Sequence, residues 1–254
     1  MVERTEFPDG APCWVDTVVP DLDEARRFYG DLFGWTFTDL GPDLGHYTLC
    51  LANDIPVAGL ARRRPGSTVE PRWHTYLAIR NLDAAARRLV QRGGELLVGP
   101  REILDAGRMA HAVDPTGAQF CLWQGGVRPG FGLWREPGAV GWSELVTPDG
   151  PTADAFYQAV FGYDHQVQIG GGDFDYSVWK AGGDQVCGRW QTEELPPQWV
   201  TYFAVPDTDE AVGRAAAMSG HVERQPWDTP YGRMASLLDP WGTPFSVLGP
   251  VSQA

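Results

Sequence analysis

Apolar and polar positions alternate through WVDTVV (14–19), a run rich in β-branched residues, and predict a strand. The period then changes. In DEARRFYGDLFG (23–34) the apolar residues Ala25, Phe28, Tyr29, Leu32 and Phe33 recur at helical spacing. Asp21 and Asp23 offer N-caps before the helix, and Gly34 stands where a left-handed stop belongs. HYTLCLA and VAGLARR read as short strands joined by turns. The unit is therefore strand, helix, then three strands.

That unit recurs. CWVDTVVPDLDEARRFYGDLFGW (13–35) matches GWSELVTPDGPTADAFYQAVFGY (141–163), and GRMAHAVDPTGAQF (107–120) matches GRMASLLDPWGTPF (232–245). Within the first half, VVPDLDEARRF (18–28) resembles AIRNLDAAARRL (78–89), so four units are expected in all. The two DPxG segments mark the last hairpin of each half, with Pro fixing φ and Gly taking the left-handed position. These repeats predict an α+β protein of two tandem domains, residues 1–126 and 138–254. The Gly- and Pro-rich stretch 127–137, which has no periodicity, is expected to be the linker.

The ordered series, seen twice, resembles the vicinal oxygen chelate superfamily, the group of glyoxalase I, extradiol dioxygenases and bleomycin-binding proteins. The resemblance spans nearly the whole chain. It implies that each domain pairs two βαβββ units into a curved mixed-sheet funnel, which holds a metal and substrate in the enzymes and a drug in the binding proteins. It also implies metal-ligand positions. In the first domain these fall on Trp14, Gly59, His74 and Cys121; in the second, on Trp142, Gly188, Val200 and Ser246. The second set has no ordinary metal ligand. The first has His74 and Cys121, which need a third donor, and a bulged hairpin would set His111 opposite Cys121. The expectation is accordingly no metal and no cofactor; if a metal binds, it binds at His74, His111 and Cys121.

Strand parity places an indole, a carboxylate and a phenol in each funnel: Trp14, Asp16 and Tyr76 beside His74, and Trp142, Glu144 and Tyr202 beside Val200. Met109 and His111 join the first funnel, and Met234 and Ser236 join the second. Arg108 and Arg233 are expected near the carboxylates or a ligand anion. Such a site suits binding of a small aromatic or hydrophobic metabolite or drug. The alternative is an isomerase, lyase or oxygenase-like enzyme with Asp16 or Glu144 as base. His165 and His221 are expected in loops or at helix ends, without partners.

Composition narrows the partners. The formal net charge of −13 over 254 residues disfavours nucleic acid and anionic membranes. The basic run Arg62–Arg64 reads as a solvated loop. No G-x-S-x-G elbow is present, and GGGD (170–173) lacks the helix and lysine of a phosphate loop. No apolar run is long enough to span a membrane, and the first residues have no secretory pattern. The four cysteines form no C-x-x-C pair, so a cytoplasmic protein with reduced thiols is expected, as a monomer or homodimer. The eleven tryptophans suggest a stacking surface in addition to core packing.

Overall fold

The computed structural model describes residues 6–64, 66, 70–163, 165–169 and 174–251; GGGD (170–173) lies outside them. The first half runs β1 (Pro12–Val19), α1 (Leu22–Phe33), β2 (Thr36–Asp39), β3 (Thr48–Ala52), β4 (Ile55–Arg62), β5 (Trp73–Ala78), α2 (Leu82–Gln91), β6 (Glu95–Ile103), β7 (Gly107–Val113) and β8 (Gln119–Gly125). The second half repeats it as β9 (Val140–Thr147), α3 (Gly150–Phe161), β10 (His165–Ile169), β11 (Asp175–Ala181), β12 (Asp184–Gln191), β13 (Gln198–Ala204), α4 (Thr208–Ala217), β14 (His221–Thr229), β15 (Gly232–Leu238) and β16 (Pro244–Gly249). All four βαβββ units are present. His165 and His221 open strands rather than lying in loops.

Helix boundaries follow the capping chemistry. Asp21, Asn81, Asp149 and Asp207 accept backbone N–H groups of the first turn, and Gly34 and Gly162 close α1 and α3 at φ 72°. The strands form two mixed eight-stranded sheets, ordered β2-β3-β4-β1-β5-β8-β7-β6 and β10-β11-β12-β9-β13-β16-β15-β14. At each centre two units meet through an antiparallel pair, β1 with β5 and β9 with β13.

The core is shared between the halves. Phe28, Tyr29 and Leu32 of α1 pack with Phe203, Leu237 and Phe245 of the second sheet. Phe156, Tyr157 and Val160 of α3 pack with Leu77, Phe120 and Leu122 of the first. Polar bonds repeat the exchange. The Tyr29 hydroxyl donates to Asp239 and that of Tyr157 to Asp114, each at 2.9 Å. Trp35 Nε1 donates to Gly138 O at 2.6 Å, and the Tyr163 hydroxyl to Gly10 O at 2.9 Å. The repeated DPxG segment therefore has two jobs. One carboxylate oxygen of Asp114 accepts the Thr116 and Ala118 N–H groups inside the turn, while the other takes the phenol of the opposite half.

Segment 127–137 is part of this body. Phe131 and Leu133 are fully buried, and the Phe131 and Gly132 N–H groups donate to Cys13 O and Pro56 O. Of the tryptophans, Trp35, Trp73, Trp179 and Trp199 are buried, and the others are half-buried. The four cysteines are buried and free. Among the described residues no helix is long and apolar enough to cross a membrane.

Two outcomes follow from the shared core. Residues 1–126 expressed alone should not unfold cooperatively as a monomer, and calorimetry with sedimentation will read this. Tyr29→Phe strands one oxygen of buried Asp239, so urea denaturation should show a loss of about 1–2 kcal/mol. In a double-mutant cycle with Asp239→Asn, most of that loss should appear as coupling.

Candidate functional site

Cross-strand register sets two parallel rows on one face of each sheet, with Trp14 at the end of the first also packed on Phe131. In the first domain, Trp14 stands opposite Tyr76, Tyr76 opposite Cys121, Cys121 opposite His111, and His111 opposite Val98. In the second, the corresponding row is Trp142, Tyr202, Ser246, Ser236 and Arg224. One step along the central strands come Gly59, Asp16 and His74, matched by Gly188, Glu144 and Val200. The residues expected to share each funnel do share one face, and His111 is opposite Cys121 as the bulged hairpin requires.

Each carboxylate gathers the hydrogens of its neighbours. Trp14 Nε1 donates to the Tyr47 hydroxyl at 2.9 Å, which donates to Asp16 at 3.0 Å. Tyr76 donates to the same oxygen at 2.8 Å, and His74 Nδ1 lies 3.3 Å from the other. In the second domain Trp142 Nε1 donates to the Tyr176 hydroxyl at 2.9 Å, and Tyr202 donates to Glu144 at 3.2 Å. Tyr176 also hydrogen-bonds Glu144. Burial, then the Asp16 charge, pushes the Tyr47 and Tyr76 phenols up, so both stay neutral donors.

The two carboxylates differ in company. Asp16 has an imidazole beside it, whereas Val200 takes that place next to Glu144. Burial pushes Glu144 up to about 7, with the Tyr176 and Tyr202 hydrogen bonds pulling the other way. The ring of His111 meets that of His74 edge-on, centroids 5.4 Å apart, and its Nε2 is buried without a hydrogen-bond partner among the described residues. Burial, with His74 and Arg72 nearby, lowers its pKa to about 4, so His111 is neutral at pH 7.

Tyr47 and Tyr176 are the residues that strand parity missed. The signal was in the repeat, where GHYTLCLA and FDYSVWKA place tyrosine at matching positions. Each hydroxyl occupies the space that a Cβ on Gly59 or Gly188 would need. These glycines stand at two of the metal-ligand positions implied by the family. A side chain there and the tyrosine exclude one another. Among the described residues no three His, Cys, Asp or Glu side chains come together so as to hold a metal ion, the set His74, His111 and Cys121 included. The residues present do not fit the family's metal.

The arginines expected near the carboxylates lie elsewhere. Arg108 forks onto Asp83 at 2.9 and 3.2 Å and also pairs with Glu102. Arg233 forks onto Asp209 at 2.7 and 2.9 Å and pairs with Asp228. Being adjacent in sequence to Met109 and Met234, they point to the other face, where the acidic first turns of α2 and α4 await them.

The two funnels are packed unequally. In the first, Cys13, Tyr76, Ala78, Met109 and Cys121 form a buried cluster with Phe7, Trp14, Ile103 and Trp123 packed on it. In the second, Ala204, Met234 and Ser236 are half-buried, and among the described residues no such cluster forms. Over Trp142 lies the guanidinium of Arg135, 5.3 Å from the ring centroid and 4.3 Å from that of Trp134.

The sequence profile described as the Glyoxalase/Bleomycin resistance protein/Dioxygenase superfamily matches residues 14–122 and again 139–247. CFP32 of Mycobacterium tuberculosis, whose name carries glyoxylase as a provisional assignment, is 40% identical over the whole of both chains. The anthracycline biosynthesis protein DnrV of Streptomyces peucetius is 38% identical, covering 96% of this chain and 94% of its own. Among solved structures, the Mn(II)-bound glyoxalase of Novosphingobium aromaticivorans superposes with a TM-score of 0.66 at 18% identity, over 96% of this chain and 84% of its own. The 2,3-dioxygenase LapB of Pseudomonas sp. KL28 gives 0.65 at 15%, over 98% and 95%. At these identities the likeness shows the fold alone. The doubled match and the full-length relatives place the chain in the glyoxalase/bleomycin resistance/dioxygenase superfamily, as a member with two tandem domains.

Proposed function

We propose that the second-domain funnel binds a small aromatic metabolite or drug without a metal. One observation carries this reading: Trp142, Tyr176, Tyr202 and Glu144 form a connected indole–phenol–carboxylate wall, and Ala204, Met234 and Ser236 on the neighbouring strands are half-buried rather than packed into a cluster. Half-buried Trp142 offers a face for stacking, and Glu144 offers a polar anchor at depth. The corresponding wall of Trp14, Tyr47, Tyr76 and Asp16 lies against the buried cluster of its own funnel and acts chiefly as scaffold. A relative named for anthracycline biosynthesis accords with a fused-ring ligand. An enzymatic reading is favoured by Glu144 alone: a carboxyl held at about 7 exchanges protons readily near neutral pH.

Ligand binding should quench tryptophan fluorescence. Trp142→Ala should weaken binding by about 2 kcal/mol, roughly thirtyfold in Kd, as titration will read. Unchanged affinity would sink the stacking role. Glu144→Gln keeps the shape and the acceptor but removes the base. For a binding protein the affinity of a neutral ligand should persist, with no turnover to lose. For an enzyme turnover should fall roughly a hundredfold or more.

Glu144 also makes stability depend on pH. Its folded pKa of about 7 lies above the ordinary value of 4.5, so the folded state holds the proton more tightly. This contribution is complete below about 4.5 and is lost as pH rises through about 7. The Tm of Glu144→Gln relative to the parent should therefore rise between pH 5 and pH 8 (roughly the span of that titration). A constant difference would mean that Glu144 titrates alike in both states.

A further inference from the structure

Arginine is the dominant cation of this acidic chain, and many of its arginines are tied down. Arg26, Arg72, Arg80, Arg108, Arg189, Arg214 and Arg233 all pair with carboxylates. Two that flank the second funnel are not. Arg135 lies over Trp134 and Trp142, and Arg224 lies 3.8 Å above the Trp227 ring. Neither guanidinium makes an ion pair or hydrogen bond among the described residues; Asp184 is near enough to act on Arg135 without pairing with it.

The two guanidiniums are related through the sheet. Arg224, Ser236, Ser246, Tyr202 and Trp142 are successive partners in one cross-strand row, with Arg135 above its far end. The charge of Arg224 is felt at the Tyr202 hydroxyl, which places it over this row. Four strand spacings of ~4.8 Å span about 19 Å along the sheet, enough for two arginine side chains with a fused-ring molecule between them. The first domain's row differs, and its Arg101 lies with one guanidinium nitrogen 3.5 Å from Met109 Sδ. Val98 stands at the place of Arg224 in its row, and that row ends in the cluster packed by Phe7 and Trp123. Arginine laid on an indole keeps its edge N–H groups free for oxygen acceptors while the ring holds the plane. Glu144, one step along the strand from Trp142, faces Val200 where Asp16 faces His74.

We propose that the second-domain funnel is selective for a planar aromatic anion, an aryl carboxylate or an ionised phenol, with Arg135 and Arg224 as the residues that read its charged oxygens. This rests on the aromatic-binding reading above and adds the charge of the ligand and the residues that select it. Both arginines are exposed, so replacing them leaves the core intact.

The test compares 2-naphthoate with uncharged 2-naphthamide, by tryptophan quenching and calorimetry, on the full chain. The intact protein should prefer naphthoate, and the preference should shrink as salt is raised. Arg135→Gln and Arg224→Gln, checked for unchanged thermal unfolding, should each weaken naphthoate roughly tenfold and leave naphthamide unchanged. Equal binding of the two probes by the intact protein overturns the anion selectivity and leaves the aromatic reading standing. A preference that survives both substitutions overturns the assignment to these arginines. Binding of neither probe overturns both readings together.

Discussion

Each half of this protein has an apolar sheet face that its own two helices do not cover, and the other half supplies what is missing. α1 fills the space over the last unit and α3 fills the space over the second, so neither half owns a complete core. The polar bonds follow the same exchange. A tyrosine of each FYxxxFG-type helix reaches the aspartate of the opposite DPxG turn, and the aromatic residue after each helix reaches a glycine carbonyl beside the opposite first strand. Because the apolar faces are spent on one another, both opposite faces are left to hold polar chemistry.

That chemistry centres on a carboxylate sunk where water scarcely reaches. Burying a carboxylate costs free energy unless hydrogen-bond donors replace its water, and in both domains two tyrosines do so, one of them oriented by an indole. The divergence is one step further out. His74 beside Asp16 becomes Val200 beside Glu144, and where the first domain has a buried cluster the second has Ala204, Met234 and Ser236 half-buried. One architecture thus carries two differently packed copies.

Much of this was legible in the sequence because it depends on short-range rules. The repeat fixed the units, the caps fixed the helix limits, and period-two alternation put Trp14 with Asp16 and Trp142 with Glu144 on one face. The same alternation, applied to Arg108 and Arg233, argues for the opposite face from Met109 and Met234, and the expectation that they reach the funnel carboxylate ignored it. Tyr47 opens the alternation Tyr47, Leu49, Leu51 of a strand whose facing was not assigned, so its match to Tyr176 was the signal that could have marked it. Arg135 and Phe131 sit in a stretch with no period at all. Their positions come from docking against β1 and Trp142, a long-range event that no local pattern records.

The glycines beneath the two tyrosines make the arrangement hard to leave. A histidine or glutamate introduced at Gly59 or Gly188 would have to evict a phenol that the neighbouring indole and carboxylate both hold. Removing the tyrosine first would strip a donor from a buried acid and gain nothing in return. The two changes are each harmful alone, so this wall and one with a side chain at the glycine lie two coupled substitutions apart, held separate by the packing of one ring over one missing side chain.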